Sequence, residues 1–135
     1  MRNHSKLDNK MIGYLTIGTN DLDRAIKFYD ALLTTIGIQK LWQNGDMAAW
    51  GPSRTKTALC LTSPFDRHAA GVGNGVMVAF KVDSAEQVDA FHAKGIELGG
   101  ENEGCPGLRG EHGVYAGYFR DLDGNKLNSY VPAPG

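Results

Sequence analysis

The sequence predicts an α+β fold: two βαβββ modules forming a curved mixed sheet around a cleft, with the helices outside. Three observations predict it. Short alternating runs rich in β-formers recur along the chain, separated by turn residues. Glycine supplies 18 of the 135 residues, about twice the usual share, which suits many tight turns between strands. One ungapped offset of 63 residues relates the two halves, matching Tyr14 to Met77, Phe28 to Phe91 and Gly37 to Gly100. A register held through a strand, a helix and a helix end argues for an internal structural repeat. One βαβββ unit cannot bury both faces of its sheet alone, so the two are expected side by side.

The elements follow in order. Residues 1–10 (MRNHSKLDNK) lack periodicity and read as a flexible tail, with His4 solvated and Met11 an alternative first residue. A single domain is expected over 11–134: module one at 11–62, a linker at 63–74 and module two at 75–131. In module one, "MIGYLTIG" alternates and forms the first strand. Asn20 or Asp21 then caps a helix over about 22–35. Its apolar stripe is Leu22, Ala25, Ile26, Tyr29, Leu32, Leu33 and Ile36, and Gly37 ends it. Strands are expected near 39–43, 46–50 and 57–61, with Asn44-Gly45 as a hairpin turn. "SPFDRHAAGVGNG" is the Gly/Pro-rich linker. In module two, "GVMVAFKV" is a strand, and "DSAEQVDAFHAKGIELGG" is a helix opened by a capping box of Ser84 and Gln87. The last strands lie near 101–103, 115–121 and 126–131, the final two joined by the Asp-Gly turn of "RDLDGNKLNSY".

Composition excludes several functions. Hydrophobic content is 41% and charged content 21%, close to the globular average. No apolar run approaches the roughly 18 residues that a membrane span needs, and residues 1–10 have no apolar signal-peptide core. A formal net charge of −1 gives no basic face for nucleic acid. Cys60 and Cys105 lie far apart without zinc or redox spacing, and read as two reduced thiols in a cytoplasmic protein. The four histidines are scattered, with no H-x-E or i, i+4 pair. "GVGNG" lacks the Lys-Ser/Thr of a phosphate loop and precedes a strand, so it is rejected as one.

Three stretches carry a resemblance: "IGYLTIGTNDLDRAIKFYDALL", "GNGVMVAFKVDSAEQVDAFHAKGIELGG" and "YFRDLDGNKLNSY". Over about Met11 to Val131 the chain resembles the vicinal oxygen chelate superfamily of glyoxalase, bleomycin-resistance and extradiol dioxygenase proteins. The R-D-x-D-G-N turn followed by a strand is fairly specific for that superfamily. The resemblance implies paired modules around an open cleft, usually in a homodimer. It also implies, in metal-dependent members, a divalent cation held by His and Glu. By motif, the first-strand ligand falls at Tyr14, the ligand opening the second half at Met77, and the last-strand Glu at Asn128. All three depart from the pattern. Mn²⁺, Fe²⁺ and Ni²⁺ sites are built from imidazole and carboxylate. A neutral phenol of pKa ~10 is a poor ligand at pH 7. A thioether suits soft Cu(I), and an amide brings no charge. The expectation is a chain that has lost the metal and kept the cleft, nearest to a glyoxalase-like subgroup reading Tyr, Met and Asn at these places. No cofactor is expected, with a divalent metal as the alternative.

Alternation aligns Ile12, Tyr14 and Thr16 on one strand face, Met77, Ala79 and Lys81 on another, and Lys126, Asn128 and Tyr130 on a third. If they face the cleft as the superfamily's ligands do, Tyr14, Met77 and Asn128 would line an amphipathic pocket, with Trp50 as an aromatic wall. Arg109, in "EGCPGLRGEHG", would clamp a carboxylate or phosphate with its planar fork. Each has a structural counterpart: Tyr14 and Met77 as space fillers, Asn128 as a strand cross-link, Trp50 as core, and Arg109 paired with Glu101, Glu103 or Glu111. Cys105 and His112 lack a third member for nucleophilic catalysis. His92 belongs to a helix face and His68 to the linker. The leading function is metal-independent binding of a small organic or drug-like compound, in a homodimer. The alternative is a lyase or isomerase, either metal-dependent through non-standard ligands or metal-free with Tyr14 as acid/base beside Lys81 or Lys126. A subunit-interaction module without a ligand is the third reading.

Overall fold

The structure, a computed structural model, describes residues 10–111 and 113–132. The expectations for residues 1–9, His4 and His112, and for the domain end at 133–134, lie outside the described residues. The elements run β1 (Tyr14–Gly18), α1 (Leu22–Thr34), β2 (Gln39–Asn44), β3 (Met47–Gly51), β4 (Ala58–Thr62), β5 (Val78–Lys81), α2 (Ala85–Glu97), β6 (Glu101–Arg109), β7 (Val114–Arg120) and β8 (Lys126–Val131).

The repeat is visible in the helices, because the offset of 63 residues carries both ends of α1 onto both ends of α2. Each helix begins at a capped N-terminus. Asp21 Oδ1 accepts from the Arg24 N–H at 3.1 Å, and Ser84 Oγ accepts from the Gln87 N–H at 3.2 Å. The returning Gln87 Oε1 accepts from the N–H of Asp83 at 2.7 Å, one residue before the cap. The repeat slips by one residue at the helix ends. Gly37 has φ 76° after α1, but after α2 the left-handed residue is Gly99, at φ 105°. Gly100 has a different task, since a Cβ there would lie 2.7 Å from the carbonyl oxygens of Gly95 and Arg120.

The two modules share one topology. The strand order is β1-β4-β3-β2 in sheet one and β5-β8-β7-β6 in sheet two. The helix crossovers make β1–β4 and β5–β8 parallel, and the other pairs are antiparallel. The mixed sheet is thus divided into two four-stranded sheets, with β1 and β5 as edge strands. Each helix packs on its own sheet, and the two helices touch each other. One core serves both modules: Phe28, Tyr29, Leu32, Leu33, Trp50 and Leu61 cluster with Phe91, Phe119 and Leu127. Burying each of the aliphatic or phenyl side chains is worth about 1.5–3 kcal/mol. Phe91 links the rings of Phe80 and Phe119, at centroid distances of 5.2 and 5.6 Å.

The segment "EGCPGLRGEHG" differs from the loop that its glycines predict. Strand β6 continues through it to Arg109. Pairing with β7 absorbs register shifts between Asn102 and Gly104 and between Gly104 and Gly107, and Pro106 sits in the second, where a missing N–H costs no ladder bond. The linker is fastened at Ala70, which exchanges two hydrogen bonds with the Asn20 amide at 2.7 and 3.2 Å. Among the described residues, no helix is long and apolar enough to cross a membrane.

Candidate functional site

Strand register assigns every site residue to a face. In sheet one, Tyr14 stands opposite Ala58, Thr16 opposite Cys60, Cys60 opposite Ala49, and Ala49 opposite Trp42. These residues share the face turned away from α1. Leu15, Ile17, Leu59, Leu61, Ala48 and Trp50 occupy the other face, toward the core. Trp50 is therefore not a wall beside Tyr14. It is 1% exposed, and its Nε1–H donates to Asp30 Oδ1 at 2.9 Å.

The aromatic partner of Tyr14 is Trp42, which sequence reasoning missed. The signal was available: a two-residue turn after Asn44 pairs Asn44 with Met47, and hence Trp42 with Ala49. Tyr14, Trp42, Met47, Ala49 and Cys60 line a hollow of about 400 Å³, together with Arg54 and Lys56. Tyr14 is 65% exposed there. Cys60 is buried, and desolvation raises its thiol pKa above the ordinary value. Met77 and Asn128 are not among the walls of this hollow.

Sheet two has a helix-free face of its own. Asn128 stands between Ala79 and Tyr118, Tyr130 between Lys81 and Ala116, and Lys126 opposite Arg120. Val78, Phe80, Phe119 and Leu127 point the other way, into the core. Met77 precedes β5 and is exposed. Asn128 is 4% exposed, and its Oδ1 is buried without a hydrogen-bond partner among the described residues. Arg109 Nη2 donates to the Cys105 carbonyl at 2.6 Å, and its guanidinium carbon lies 5.4 Å from the Tyr118 ring centroid. The Lys126 ammonium lies 5.7 Å from the same centroid. The expected pairing of Arg109 with a glutamate does not form: Glu103 binds Arg120 Nε at 2.5 Å instead.

Residues 11–128 match the sequence profile of the Glyoxalase/Bleomycin resistance protein/Dioxygenase superfamily. The chain belongs to this superfamily. A solved glyoxalase/bleomycin resistance protein from Albidiferax ferrireducens is 39% identical, with a TM-score of 0.82, over 90% of this chain and 98% of that one. A glyoxalase/bleomycin resistance protein/dioxygenase family enzyme from Burkholderia phytofirmans is 17% identical, with a TM-score of 0.71, over 89% and 97%. A lactoylglutathione lyase from Agrobacterium tumefaciens is 24% identical, with a TM-score of 0.64, over 90% and 93%. The last two share the fold. No curated protein matches.

Within the superfamily frame, the donor set at the three motif positions is a phenol, a thioether and an amide, which does not fit a hard or borderline divalent cation. Among the described residues, no three His, Cys, Asp or Glu side chains are grouped to hold one. Tyr14 belongs to sheet one, whereas Lys81 and Lys126, the cations proposed to assist it, belong to sheet two. His92 is structural: it is 7% exposed and meets Asn102 Oδ1 through Nε2 at 3.0 Å. His68 is exposed in the linker beside Asp66.

Proposed function

We propose that this superfamily member is a metal-independent small-molecule-binding protein, which takes a small organic or drug-like compound on the helix-free faces of its sheets. The observation that carries the reading is the hollow of about 400 Å³ at Tyr14, within the size range of small-molecule sites. Its walls are aromatic and apolar, with Arg54 and Lys56 as polar groups that orient a guest. Trp42 and Tyr14 supply stacking area at low entropic cost. Met77, Asn128 and Arg109 belong to the same reading on sheet two. The protein works in the cytoplasm as a homodimer. Support for the dimer comes from the edge strands β1 and β5, beside which Ile12, Val76 and Met77 expose apolar side chains.

The test is a fluorescence titration with neutral aromatic compounds, in wild type, Trp42→Phe and Tyr14→Ala. Quenching that disappears in Trp42→Phe and weakens about 10-fold in Tyr14→Ala supports the reading. Absence of quenching across a chemically broad set sinks it. A melting temperature that rises by several degrees with Mn²⁺, Ni²⁺, Zn²⁺ or Fe²⁺ would sink the metal-independent part. Lyase or isomerase chemistry is the second reading. It draws on Arg54 and Lys56, which line the same hollow as the Tyr14 phenol, and it requires turnover that Tyr14→Phe abolishes.

A further inference from the structure

We infer that the helix-free face of sheet two carries a preformed seat for the carboxylate of a small hydroxylated organic acid, with Arg109 and Lys126 as the binding groups and Tyr118 as their positioning residue. This rests on the small-molecule reading above and names a ligand class for its second face.

The seat is built from β6. The Arg109 side chain folds back along its own strand, over two glycines. A Cβ added at Gly104 would lie 3.3 Å from Arg109 Nη2, and one at Gly107 would lie 3.1 Å from Nη1. Both distances are tighter than ordinary van der Waals contact, so a side chain at either glycine would crowd the guanidinium and push it from this place. The Cys105 carbonyl holds Nη2 from one side, and the Tyr118 ring approaches the same group. Arginine is normally rich in rotamers, and a guanidinium held this way has lost much of that freedom before any ligand arrives. Its planar fork carries five N–H donors, of which the Cys105 carbonyl takes one at 2.6 Å and the Leu108 carbonyl a second at 3.4 Å.

The charge pattern asks for an anion. Arg109 and Lys126 are gathered at one ring, and among the described residues neither has a carboxylate within ion-pair distance. The nearby Glu103 is already engaged by Arg120. Both cations lie close to one ring centre, at 5.4 and 5.7 Å, and a carboxylate held by the Arg109 fork sits in the positive potential that they share.

Two further observations select an organic acid with a hydrogen-bond donor. Asn128 is the cross-strand neighbour of Tyr118. Its buried Oδ1, without a partner among the described residues, is an acceptor that a ligand hydroxyl would satisfy once the side chain turns outward. Met77 and Ala79, exposed beside it, offer apolar contact that inorganic phosphate cannot use.

The experiment is an NMR titration of the full chain with mandelate, its methyl ester and inorganic phosphate. The amides of Gly104, Gly107 and Tyr118 and the Arg109 Nε–H report on the seat. We expect mandelate to shift these signals, and added sodium chloride to weaken its binding. Arg109→Ala should lower the affinity at least about 10-fold. Gly107→Ala, which leaves Arg109 in place but crowds its guanidinium, should lower it several-fold. Equal binding of acid and ester, or undiminished binding by Arg109→Ala, overturns the inference while the small-molecule reading stands. Phosphate binding as strong as that of mandelate overturns the organic-acid class. No shift with mandelate also overturns it. The Trp42 titration on sheet one then decides separately whether the broader reading survives.

Discussion

The Tyr29 hydroxyl donates a 2.5 Å hydrogen bond to Oδ2 of Asp121, joining helix α1 of module one to the β7–β8 turn of module two. Asp121 is 6% exposed and fully engaged. Its Oδ1 accepts the N–H groups of Asp123 and Asn125, both at 2.9 Å, and its Oδ2 also accepts from Asn125 Nδ2 at 3.0 Å. The same turn reaches module one at further points, and Asp123 Oδ1 accepts from the Asn20 N–H at 3.0 Å and from Arg24 Nη2 at 3.4 Å. Thr19 Oγ1 donates to Asp123 Oδ2 at 2.6 Å, and Asn125 Nδ2 donates to the Gly18 carbonyl at 3.0 Å. The R-D-x-D-G-N string is therefore a latch between the modules. Gly124, at φ 91°, lets the chain turn tightly enough for both aspartates and Asn125 to reach module one.

Tyr29→Phe should lower unfolding stability by about 1.5–3 kcal/mol, the range for a hydrogen bond to a charged group. The ring and its packing remain, so the loss reports the latch rather than a cavity. Urea denaturation checks it. A loss under about 0.5 kcal/mol would mean that the Asn125 amide satisfies Asp121 by itself.

The same residue sets an alkaline limit. Burial raises the Tyr29 pKa well above its ordinary value, and the charge of Asp121, its hydrogen bond and the charge of Asp123 raise it further. A group whose folded pKa is raised stabilises fully below its unfolded pKa. That stability declines once the pH passes about 10, where the unfolded phenol begins to ionise. Urea midpoints of wild type and Tyr29→Phe should therefore keep a constant separation up to about pH 9 and converge above about pH 10. A constant separation at high pH would show that Tyr29 ionises as easily folded as unfolded.

The fold was legible where local chemistry and tertiary packing agree. Asp21, Ser84 and the 63-residue offset placed both helices, and the alternation after Gly124 placed β8 with its observed ends. Strand β6 was hidden because Gly104, Pro106 and Gly107 argue for a loop. Only pairing with β7 makes a bulged strand of them. Of the two readings of Trp50, the structure bears out core, and the aromatic wall is Trp42 instead. Both follow short alternating runs, but the side of the sheet that carries the helix decides which one is buried. Arg109 was legible as a carboxylate clamp, but its surroundings were not, since they depend on Gly104, Gly107 and Tyr118 meeting across two strands.

The thiols should separate cleanly. Cys105 is exposed, whereas Cys60 is 2% exposed and its thiol pKa is raised by burial. A disulfide reagent at neutral pH should modify one cysteine at least about 10-fold faster than the other, and peptide mapping should place the fast site at Cys105. Cys60 is also a wall of the Tyr14 hollow, so a compound bound there should slow its reaction further. Equal rates would mean that sheet one opens to solvent more readily than its packing implies.

Gly95 sets two forces against each other. It lies inside α2, where alanine would be favoured by about 1 kcal/mol. Yet a Cβ at Gly95 would press into the Phe119 ring, 2.6 Å from Cζ and 2.8 Å from Cδ2. Phe119 is 0% exposed and bounded by Phe91 at 5.6 Å and His92 at 5.8 Å, so it has little space to retreat. Overpacking a filled core costs about 1–3 kcal/mol, and a rigid ring belongs at the upper end. The clash should win, and Gly95→Ala should destabilise the protein by about 1–2 kcal/mol. Module one solves the same problem differently: the repeat places Leu32 at this helix position, 0% exposed and in the shared core. Phe119→Leu in the Gly95→Ala background makes the argument decisive. Relief of the clash requires the double variant to be more stable than the sum of the single losses. Simple additivity would mean that Phe119 already moves freely enough to admit the methyl group.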